Sequence, residues 1–402
     1  MTYDAAHGAG ITRNADPADG SGAVLAVDIG GTKFAAALVG PTGQIIVADR
    51  VATPPGGDAE ALWEALAALV DSVVRRVPGA DPIGVGIGCG GPMSWPDGHV
   101  SPLNMPGWRR FPLRDRLAAR FPGVPVRIHN DAICMAAAEH WRGAGRGSDN
   151  MLGMVVSTGV GGGLILGGRL IDGGTGNAGH IGHVVVDPDG PACECGGRGC
   201  LEAISRGPGL ASWALTQGWI PGSGTEPAGP DRPDVALKAV ATPGVEAAAV
   251  ATPGVGAAAA ETPGVGSDLG AVASEGVGAP RGPAAGGLYV EAARASGRQL
   301  ALDAAAGDPI ARSAFTRAGR ALGIAIASAT HLCDLDLVTI GGGLSQAGPL
   351  LFEPLEQALR AHVRMEFAAR VRVVPAALGQ DAGLIGAAAL ILAEDHYWTG
   401  PF

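Results

Sequence analysis

A unit of two apolar strands joined by a glycine turn occurs twice in this chain of 402 residues, and it limits the possible folds more than any other feature. The first copy, AVLAVDIGGTKFAAALV, spans residues 23–39, and the second, NMLGMVVSTGVGGGLILGGRLI, spans residues 150–171. In both halves alternating helical and strand patterns follow the unit, which is typical of sheets covered by helices. We therefore predict an α/β fold with a duplicated β-sheet core.

Hydrophobic periodicity predicts the other elements of both halves. Apolar residues at helical spacing indicate an amphipathic helix over residues 58–77, and an apolar run before Asn130 indicates a strand followed by a helix. The other predicted strands cover residues 43–53, 82–88, 335–343 and 371–376, and the other predicted helices cover about 307–332, 347–364 and the residues from Asp381 onward. Each half thus contains helices that can cover its sheet.

We divide the chain into a tail, two lobes and an insertion. Residues 1–22 are polar and rich in glycine, and we expect a disordered tail. Residues 23–135 and a closing helix at about 381–397 form the predicted N-terminal lobe, and residues 136–380 form the predicted C-terminal lobe. Residues 220–287 contain a ten-residue Pro-Gly repeat. Because this repeat opposes helices and central strands, we interpret the segment as a low-complexity Pro/Gly/Ala surface insertion.

The charge and the cysteine content exclude several classes of protein. A net charge of −10 argues against nucleic acids and anionic membranes as partners. Six cysteines in a chain of this length do not make a disulfide scaffold. The first residues lack the pattern of a signal peptide, and no run of 18 apolar residues indicates a membrane span. We therefore expect a soluble cytoplasmic protein.

The first glycine turn, DIGGTK (residues 28–33), has side chains suited to a phosphate. Backbone N–H groups of Gly30 and Gly31 can point into one concavity, while Thr32 and Lys33 add a hydroxyl and a cation. Asp28 is suited to Mg²⁺, directly or through water. A simple hairpin turn is the alternative, but Lys33 is one of only two lysines in the chain. There is no Walker A motif, so the predicted phosphate site is of another kind.

Two further glycine segments follow apolar strands in the second half. STGVGGG (residues 157–163) is the second glycine turn, and TIGGGLS (residues 339–345) is the third glycine loop. Each run alone is weak evidence, but three glycine segments at strand ends are consistent with one nucleotide cleft. The candidate ATP- or phosphate-binding residues here are Thr158, Gly159, Gly161, Gly341, Gly342 and Gly343.

Asn130 and Asp131 lie where a predicted strand meets a helix, in the sequence IHNDA. An Asn or Asp at a helix start is often only an N-cap. The alternative is a carboxylate that faces a cleft, beside an amide that orients a sugar hydroxyl. Phosphoryl transfer requires little more than placement, charge neutralisation and an acceptor for the proton of the nucleophile.

Four residues have the spacing of a structural zinc site. His183, Cys193, Cys195 and Cys200 form the pattern H-x9-C-x-C-x4-C. A Cys₃His set gives zinc four ligands with no open position, so such a metal fixes a loop and does not activate water. A redox pair is the alternative, but C-x-C is not the usual C-x-x-C. Glu202, two residues after the last cysteine, would then be held rigidly.

Together these motifs resemble those of the ROK family, which contains bacterial sugar kinases and repressors. The matching segments are D-x-G-x-T-K from Asp28, N-D at 130–131, S-T-G-x-G-G-G from Ser157, the cysteine-rich motif from Gly182 to Glu202, GGG at 341–343 and DAGLIGAA at 381–388. The resemblance covers about residues 23–218 and 290–395. It implies an actin-like, ribonuclease-H-like fold with two lobes around a cleft.

The resemblance also implies roles for individual residues. Asp131 would be the general base for a sugar hydroxyl, usually that on C6, and ATP with Mg²⁺ would bind at the glycine segments. His183 would bind zinc through one ring nitrogen and the sugar through the other. The candidate sugar-binding residues are Asn104, Asn130, Asp131, His180, His183 and Glu202. We also expect a homodimer or a higher homo-oligomer.

One position departs from the pattern of glucose-directed members. Many of these carry glutamate where this chain has His180. A neutral imidazole offers one donor and one acceptor, so it can serve an acetamido group. The stretch from His180 to Glu202 is similar to that of bacterial N-acetylmannosamine kinases, and we favour N-acetylmannosamine as the substrate. Glucose is the alternative if His180 varies without consequence, and polyphosphate is an alternative donor to ATP.

A sugar-responsive repressor of the same family is a second hypothesis. Such repressors carry an N-terminal helix-turn-helix before the D-x-G-x-T-K motif. Here 27 residues precede Asp28, and they do not have helical patterns. The sequence therefore favours the kinase.

Overall fold

The computed structural model describes residues 22–223 and 295–400. The predicted tail, apart from residue 22, and the predicted insertion, apart from residues 220–223, lie outside the described residues. None of the helices in the described ranges is long and apolar enough to cross a membrane.

The first half contains a five-stranded sheet of mixed direction. Its strands are β1 (Val24–Ile29), β2 (Lys33–Val39), β3 (Ile45–Ala52), β4 (Val85–Cys89) and β8 (Val126–Asn130), and β5 (Met93–Ser94), β6 (His99–Val100) and β7 (Phe111–Pro112) form a separate small sheet. The order in the large sheet is β3-β2-β1-β4-β8. β2 is antiparallel to β1 and β3, while β1, β4 and β8 run parallel.

The second half repeats this sheet. Its strands are β9 (Met151–Val156), β10 (Val160–Leu166), β11 (Arg169–Leu170), β12 (Leu337–Gly341) and β13 (Arg372–Pro375). The order is β11-β10-β9-β12-β13, with β10 antiparallel to β9 and β11, and with β9, β12 and β13 parallel. Numbered within each half, both sheets have the order 3-2-1-4-5. The predicted duplicated α/β core is therefore confirmed.

The helices lie between and around the two sheets. They are α1 (Ala59–Arg75), α2 (Leu113–Arg120), α3 (Asp131–Arg142), α4 (Leu201–Ser205), α5 (Gly207–Thr216), α6 (Gly297–Ala305), α7 (Pro309–Cys333), α8 (Pro349–His362), α9 (Glu366–Ala369), α10 (Ala382–Leu392) and α11 (Glu394–Tyr397). α3 packs on β9 and β10, α10 packs on β1 and β4, and the two helices contact each other. A Cβ atom at Gly386 would lie 1.7 Å from Cys134 O, so only glycine permits this approach.

Apolar faces explain the positions of the outer helices. α1 begins at the N-cap Asp58, whose side chain accepts from Ala61 N–H, and it buries Leu62, Leu66 and Val70 against the first sheet. In the second half, α7 and α8 pack on each other and cover the second sheet with a core that includes Phe315. Burial of one such side chain stabilises the folded state by about 1.5–3 kcal/mol.

Candidate active site

The predicted site motifs lie at the carboxyl ends of parallel strands in both sheets. β1 ends at Ile29 in the first glycine turn, and β8 ends at Asn130. β9 ends at Val156, just before the second glycine turn, and β12 ends at Gly341 in the third glycine loop. Because parallel strands end at one edge of a sheet, each sheet brings its motifs together there.

Asp28 lies on β1 with its carboxylate against the start of α10. A Cβ atom at Gly383 would lie only 2.5 Å from Asp28 Oδ2, so the carboxylate touches this helix. Burial and the negative charge of Asp131 raise the pKa of Asp28 to about 6, while the charges of Lys33 and Arg50 act in the opposite direction. The two aspartates therefore face a common region with two cations nearby.

Asn104 lies directly on the first glycine turn. A Cβ atom at Gly31 would lie 2.3 Å from Asn104 Nδ2, so a larger residue at position 31 would displace the amide. Thr32 is exposed, and Lys33 Nζ lies 3.4 Å from Gln380 Oε1. A predicted sugar-binding amide and a predicted phosphate-binding turn are thus in contact.

A small cavity adjoins the contact between Gly31 and Asn104. Its volume is about 150 Å³, and residues 53–57 and 104–107 provide most of its lining. The structure therefore leaves space beside the first glycine turn. The turn itself is closed by Gly30 N–H, which donates to Lys33 O at 3.0 Å. The prediction that this N–H points to a phosphate is therefore wrong for Gly30, because the turn uses the group itself.

Asn130 and Asp131 combine the N-cap role with an open carboxylate. Asn130 Oδ1 accepts from Ala132 N–H at 3.0 Å, which leaves the amide hydrogens of Asn130 free to donate. Asp131 Oδ1 accepts from the same N–H at 2.8 Å, and its Oδ2 lies near Gly90, after β4. Burial raises the pKa of Asp131, and backbone hydrogen bonds oppose this shift. The raised pKa makes this carboxylate a better proton acceptor.

The start of α3 touches the second glycine turn. A Cβ atom at Gly161 would lie 2.6 Å from Ala132 Cβ. The neighbouring Val160 N–H donates to Glu202 Oε2 at 2.8 Å, and Gly159 also leaves room for that oxygen. The start of α3, the second glycine turn and Glu202 are therefore in contact in that order. The bond from Val160 N–H uses Glu202 Oε2 and does not use Glu202 Oε1.

The third glycine loop folds onto the end of β9. Gly342 has a φ of 91°, and a Cβ atom there would lie 2.4 Å from Val156 O. Gly343 approaches Ser157 Oγ, at the start of the second glycine turn, where Thr158 is exposed. Two of the three predicted nucleotide-binding segments are thus adjacent.

His183, Cys193, Cys195 and Cys200 form one cluster, with all four ligand atoms within 4.8 Å of one another. Cys193 Sγ lies 3.7 Å from His183 Nδ1, and Cys195 Sγ lies 3.7 Å from Cys200 Sγ. A tetrahedral zinc with bonds of about 2.3 Å to sulfur requires ligand separations of about 3.8 Å. The donor set and its spacing therefore fit zinc bound to His183 through Nδ1.

The Cys₃His cluster is joined to the site by short segments. Cys200 is the N-cap of α4, so Glu202 lies in the first turn of that helix. A 3₁₀ turn contains Gly182 and His183, and a Cβ atom at Gly182 would lie 2.0 Å from Val160 O. The cluster therefore fixes both His183 and Glu202 against the strand that follows the second glycine turn.

His180 stacks on His183. The ring centroids are 5.1 Å apart and the ring planes differ by 10°. His180 is exposed, whereas His183 is half-buried. Because His183 faces the cysteines through Nδ1, its Nε2 and the His180 ring remain available for hydrogen bonds.

The sequence matches the ROK family over residues 24–250 and 273–394. The chain belongs to the ROK family. A glucokinase of Thermotoga maritima is 30% identical over 92% of this chain and 96% of its own length. An N-acetylmannosamine kinase of Escherichia fergusonii is 43% identical, over 50% of this chain and 66% of its own length.

A solved structure extends the similarity to the fold. The ROK family glucokinase from Streptomyces griseus, in complex with glucose and AMPPNP, is 30% identical, with a TM-score of 0.65. The similarity covers 92% of this chain and 99% of that one. The ROK chain therefore has the predicted actin-like fold of two lobes around a cleft.

The sequence patterns did not indicate one buried pair of polar residues beside the candidate site. His129 precedes the Asn130–Asp131 pair, and its Nε2 lies 2.7 Å from Asp172 Oδ1. Both side chains are buried. The only sequence signal was the histidine in IHNDA, since its partner lies 43 residues away in an otherwise ordinary loop.

Proposed function

We propose that this ROK protein transfers the γ-phosphate of ATP to the 6-hydroxyl of an N-acetylhexosamine, with N-acetylmannosamine as the best substrate. The chain is an ATP-dependent sugar kinase of its family. The identity of the sugar is the proposal, and glucose is the alternative. The observation that supports the chemistry is Asp131, a half-buried carboxylate of raised pKa at the start of α3.

Asp131 accepts the proton of the sugar hydroxyl in this proposal. The hydroxyl oxygen then forms a bond to the γ-phosphorus, and the bond between that phosphorus and the bridging oxygen of ADP breaks. The amide hydrogens of Asn130 donate to a sugar oxygen, because the amide oxygen is engaged by Ala132 N–H. Asn104, which lies on the first glycine turn, is placed to contact the same sugar.

The three glycine segments hold the nucleotide in this proposal. Lys33 and those N–H groups of the two glycine turns that are not engaged within the protein bind phosphate oxygens. Gly30 N–H and Val160 N–H do not take part, because both donate to acceptors within the protein. Asp28 holds Mg²⁺ directly or through water. Bound Mg²⁺ neutralises charge that develops on the phosphates. The neighbouring cations Lys33 and Arg50 favour the ionised form of Asp28 that this role requires.

Zinc has a structural role in this proposal. His183 and three cysteines complete its coordination, so no position is left for a reacting water. Bound through these residues, zinc would connect the 3₁₀ turn that holds His183 to Cys200, which is the N-cap of α4. His183 Nε2 and Glu202 Oε1 are then held in place to bind sugar hydroxyls.

His180 supports the choice of an acylated sugar. Its exposed ring lies on His183, next to the predicted sugar site, where it can donate to an acetamido carbonyl. The similarity to an N-acetylmannosamine kinase over half of the chain agrees with this choice. The similarity to a glucokinase over almost the whole chain supports the alternative.

A coupled kinase assay over four sugars tests the proposal. Purified protein, zinc and Mg²⁺-ATP are combined with N-acetylmannosamine, N-acetylglucosamine, mannose or glucose, and ADP release is measured. We expect the highest kcat/KM for N-acetylmannosamine. A higher kcat/KM for glucose would establish the alternative. Polyphosphate in place of ATP tests the donor, and light scattering tests the predicted homo-oligomer.

A further inference from the structure

A buried hydrogen bond joins the two halves of the molecule beside the proposed base. His129 is the penultimate residue of β8 in the first sheet, and Asp172 follows β11 in the second sheet. His129 is 0% exposed and Asp172 is 5% exposed. Their contact of 2.7 Å between Nε2 and Oδ1 is short and shielded from water, and such bonds are stronger than exposed ones.

The partners of the ring assign its proton. His129 Nδ1 accepts from Asn130 N–H at 2.9 Å, so this nitrogen carries no hydrogen. Nε2 therefore carries it and donates to the carboxylate of Asp172. The second oxygen of Asp172 accepts from the hydroxyl of Thr399. Every polar atom of the pair has a partner, which is what a rigid buried link requires.

On one side, the hydrogen-bonded pair contacts the backbone next to the proposed base, Asp131. Asn130, whose N–H is bound to the ring, is the last residue of β8 and the N-cap of α3. Asp131 is the next residue. A shift of the His129 ring therefore moves the backbone from which both proposed catalytic-site side chains project.

On the other side, Asp172 is the first residue of the loop that leads to His180. Asp172 O accepts from Ala178 N–H at 3.0 Å, which closes the loop of residues 172–178. Within that loop, Gly176 contacts Trp95, and the Trp95 ring lies 5.8 Å from the His129 ring. The loop is thus held at two points on the first half, and His180 follows it by two residues.

We propose that His129 and Asp172 are a positioning pair, which holds the start of α3 and the loop before His180 in a single arrangement. Neither residue touches the sugar. The pair acts through Asp131 on one side and through His180 on the other. This inference uses the proposed function because turnover reports the placement of Asp131.

Two substitutions at position 129 separate the two bonds of the ring. In His129→Gln the side-chain nitrogen can reach the position of Nε2 and keep the bond to Asp172, whereas in His129→Asn only the position of Nδ1 is reached. His129→Gln keeps the bond between the two halves and loses the bond to Asn130 N–H, whose strand remains in the sheet, so we expect kcat to fall by about threefold at most. His129→Asn loses the bond between the halves, and we expect kcat to fall about tenfold or more. Equal kcat values in the two variants would overturn the proposal.

Substitutions of Asp172 test the same hydrogen bond if His129→Asn does not fold. Asp172→Asn keeps an acceptor for His129, and Asp172→Ala removes it. We expect kcat to fall about tenfold more in Asp172→Ala than in Asp172→Asn. His140→Gln is the matched control, because His140 bonds to Tyr397 and Ser148 at the far end of α3. It should lower the thermal midpoint and leave kcat and KM unchanged.

Hydrogen exchange provides a readout that does not depend on activity. With the pair broken in Asp172→Ala, we expect faster exchange both in residues 130–132 and in residues 173–180, compared with His140→Gln. Faster exchange confined to residues 173–180 would overturn the proposal. If the native protein phosphorylates none of the four sugars, the proposed function fails, and the exchange result still decides whether the pair couples the two segments.

Discussion

The two sheets have the same strand order but carry different chemistry at their strand ends. The first sheet ends in carboxylates, Asp28 and Asp131, with raised pKa values. The second sheet ends in glycine segments, against which the Cys₃His cluster holds its own His183 and the nearby Glu202. The same topology therefore supplies different groups to the site from each half. In our account the first half performs proton transfer and also contributes Asn104 and Asn130 to sugar binding. The second half selects the sugar through His180, His183 and Glu202.

Substitution of the proposed base, Asp131, should have the largest effect on turnover. Asp131→Asn keeps the shape of the side chain but removes its ability to accept a proton. Steady-state assays should show kcat reduced by about 10³-fold, within the range for general-base catalysis. Asp308→Asn is the matched control, since the Asp308 carboxylate likewise accepts from backbone N–H groups at a helix start but lies at α7. It should reduce stability and leave kcat unchanged.

Loss of a zinc ligand tests the second half. Cys195→Ser should lower bound zinc and raise the sugar KM together, by about 10- to 100-fold, because His183 and Glu202 lose their support. Elemental analysis and sugar kinetics measure both effects. Cys333→Ser, which lies outside the cluster, should change neither. A Cys195→Ser protein with a full complement of zinc would refute the structural role of the metal.

A substitution at His180 sharpens the proposed role of the second half in specificity. His180→Glu replaces a side chain that can donate by one that accepts from two adjacent hydroxyls. We expect the ratio of kcat/KM for N-acetylmannosamine over glucose to fall about tenfold, a change of about 1.4 kcal/mol. An unchanged ratio would remove His180 from the account of specificity.

The carboxylates of the first sheet should also reduce stability at neutral pH. The pKa of Asp28 is about 6 in the fold against 3.8 ordinarily, so the folded state binds more protons between these values. Stability therefore falls as pH rises from about 4 to 6, and the loss persists above pH 6. Asp28→Asn should raise the thermal midpoint by about 2 °C or more at pH 8 and by less at pH 4. An equal change at both pH values would contradict this.

Local patterns predicted most of the fold and brought the candidate site residues to notice. The helix expected over 58–77 is Ala59–Arg75, and the strand expected within 335–343 is Leu337–Gly341. Periodicity and turn residues determine such elements. The cluster of His183 and three cysteines was also predictable, because its residues are close in sequence and have the spacing of a zinc ligand set.

Long-range contacts could not be predicted in this way. The contacts of Glu202 with Val160 and of Asn104 with Gly31 result from tertiary packing, which leaves no periodic pattern in the sequence. The same holds for the pair of His129 and Asp172, which joins two sheets. The strands of the small sheet, two residues each, are too short for their period to be recognised.

The most direct test of the division of tasks is sugar binding by the protein that lacks its base. Isothermal titration of Asp131→Asn with the preferred sugar should give a Kd within about threefold of the native value, since the zinc-supported half remains intact. Its turnover should be lost in the same preparation. Retention of turnover within tenfold of the native protein would contradict the assignment of proton transfer to Asp131. Loss of sugar binding together with turnover would contradict the separation of that role from sugar binding.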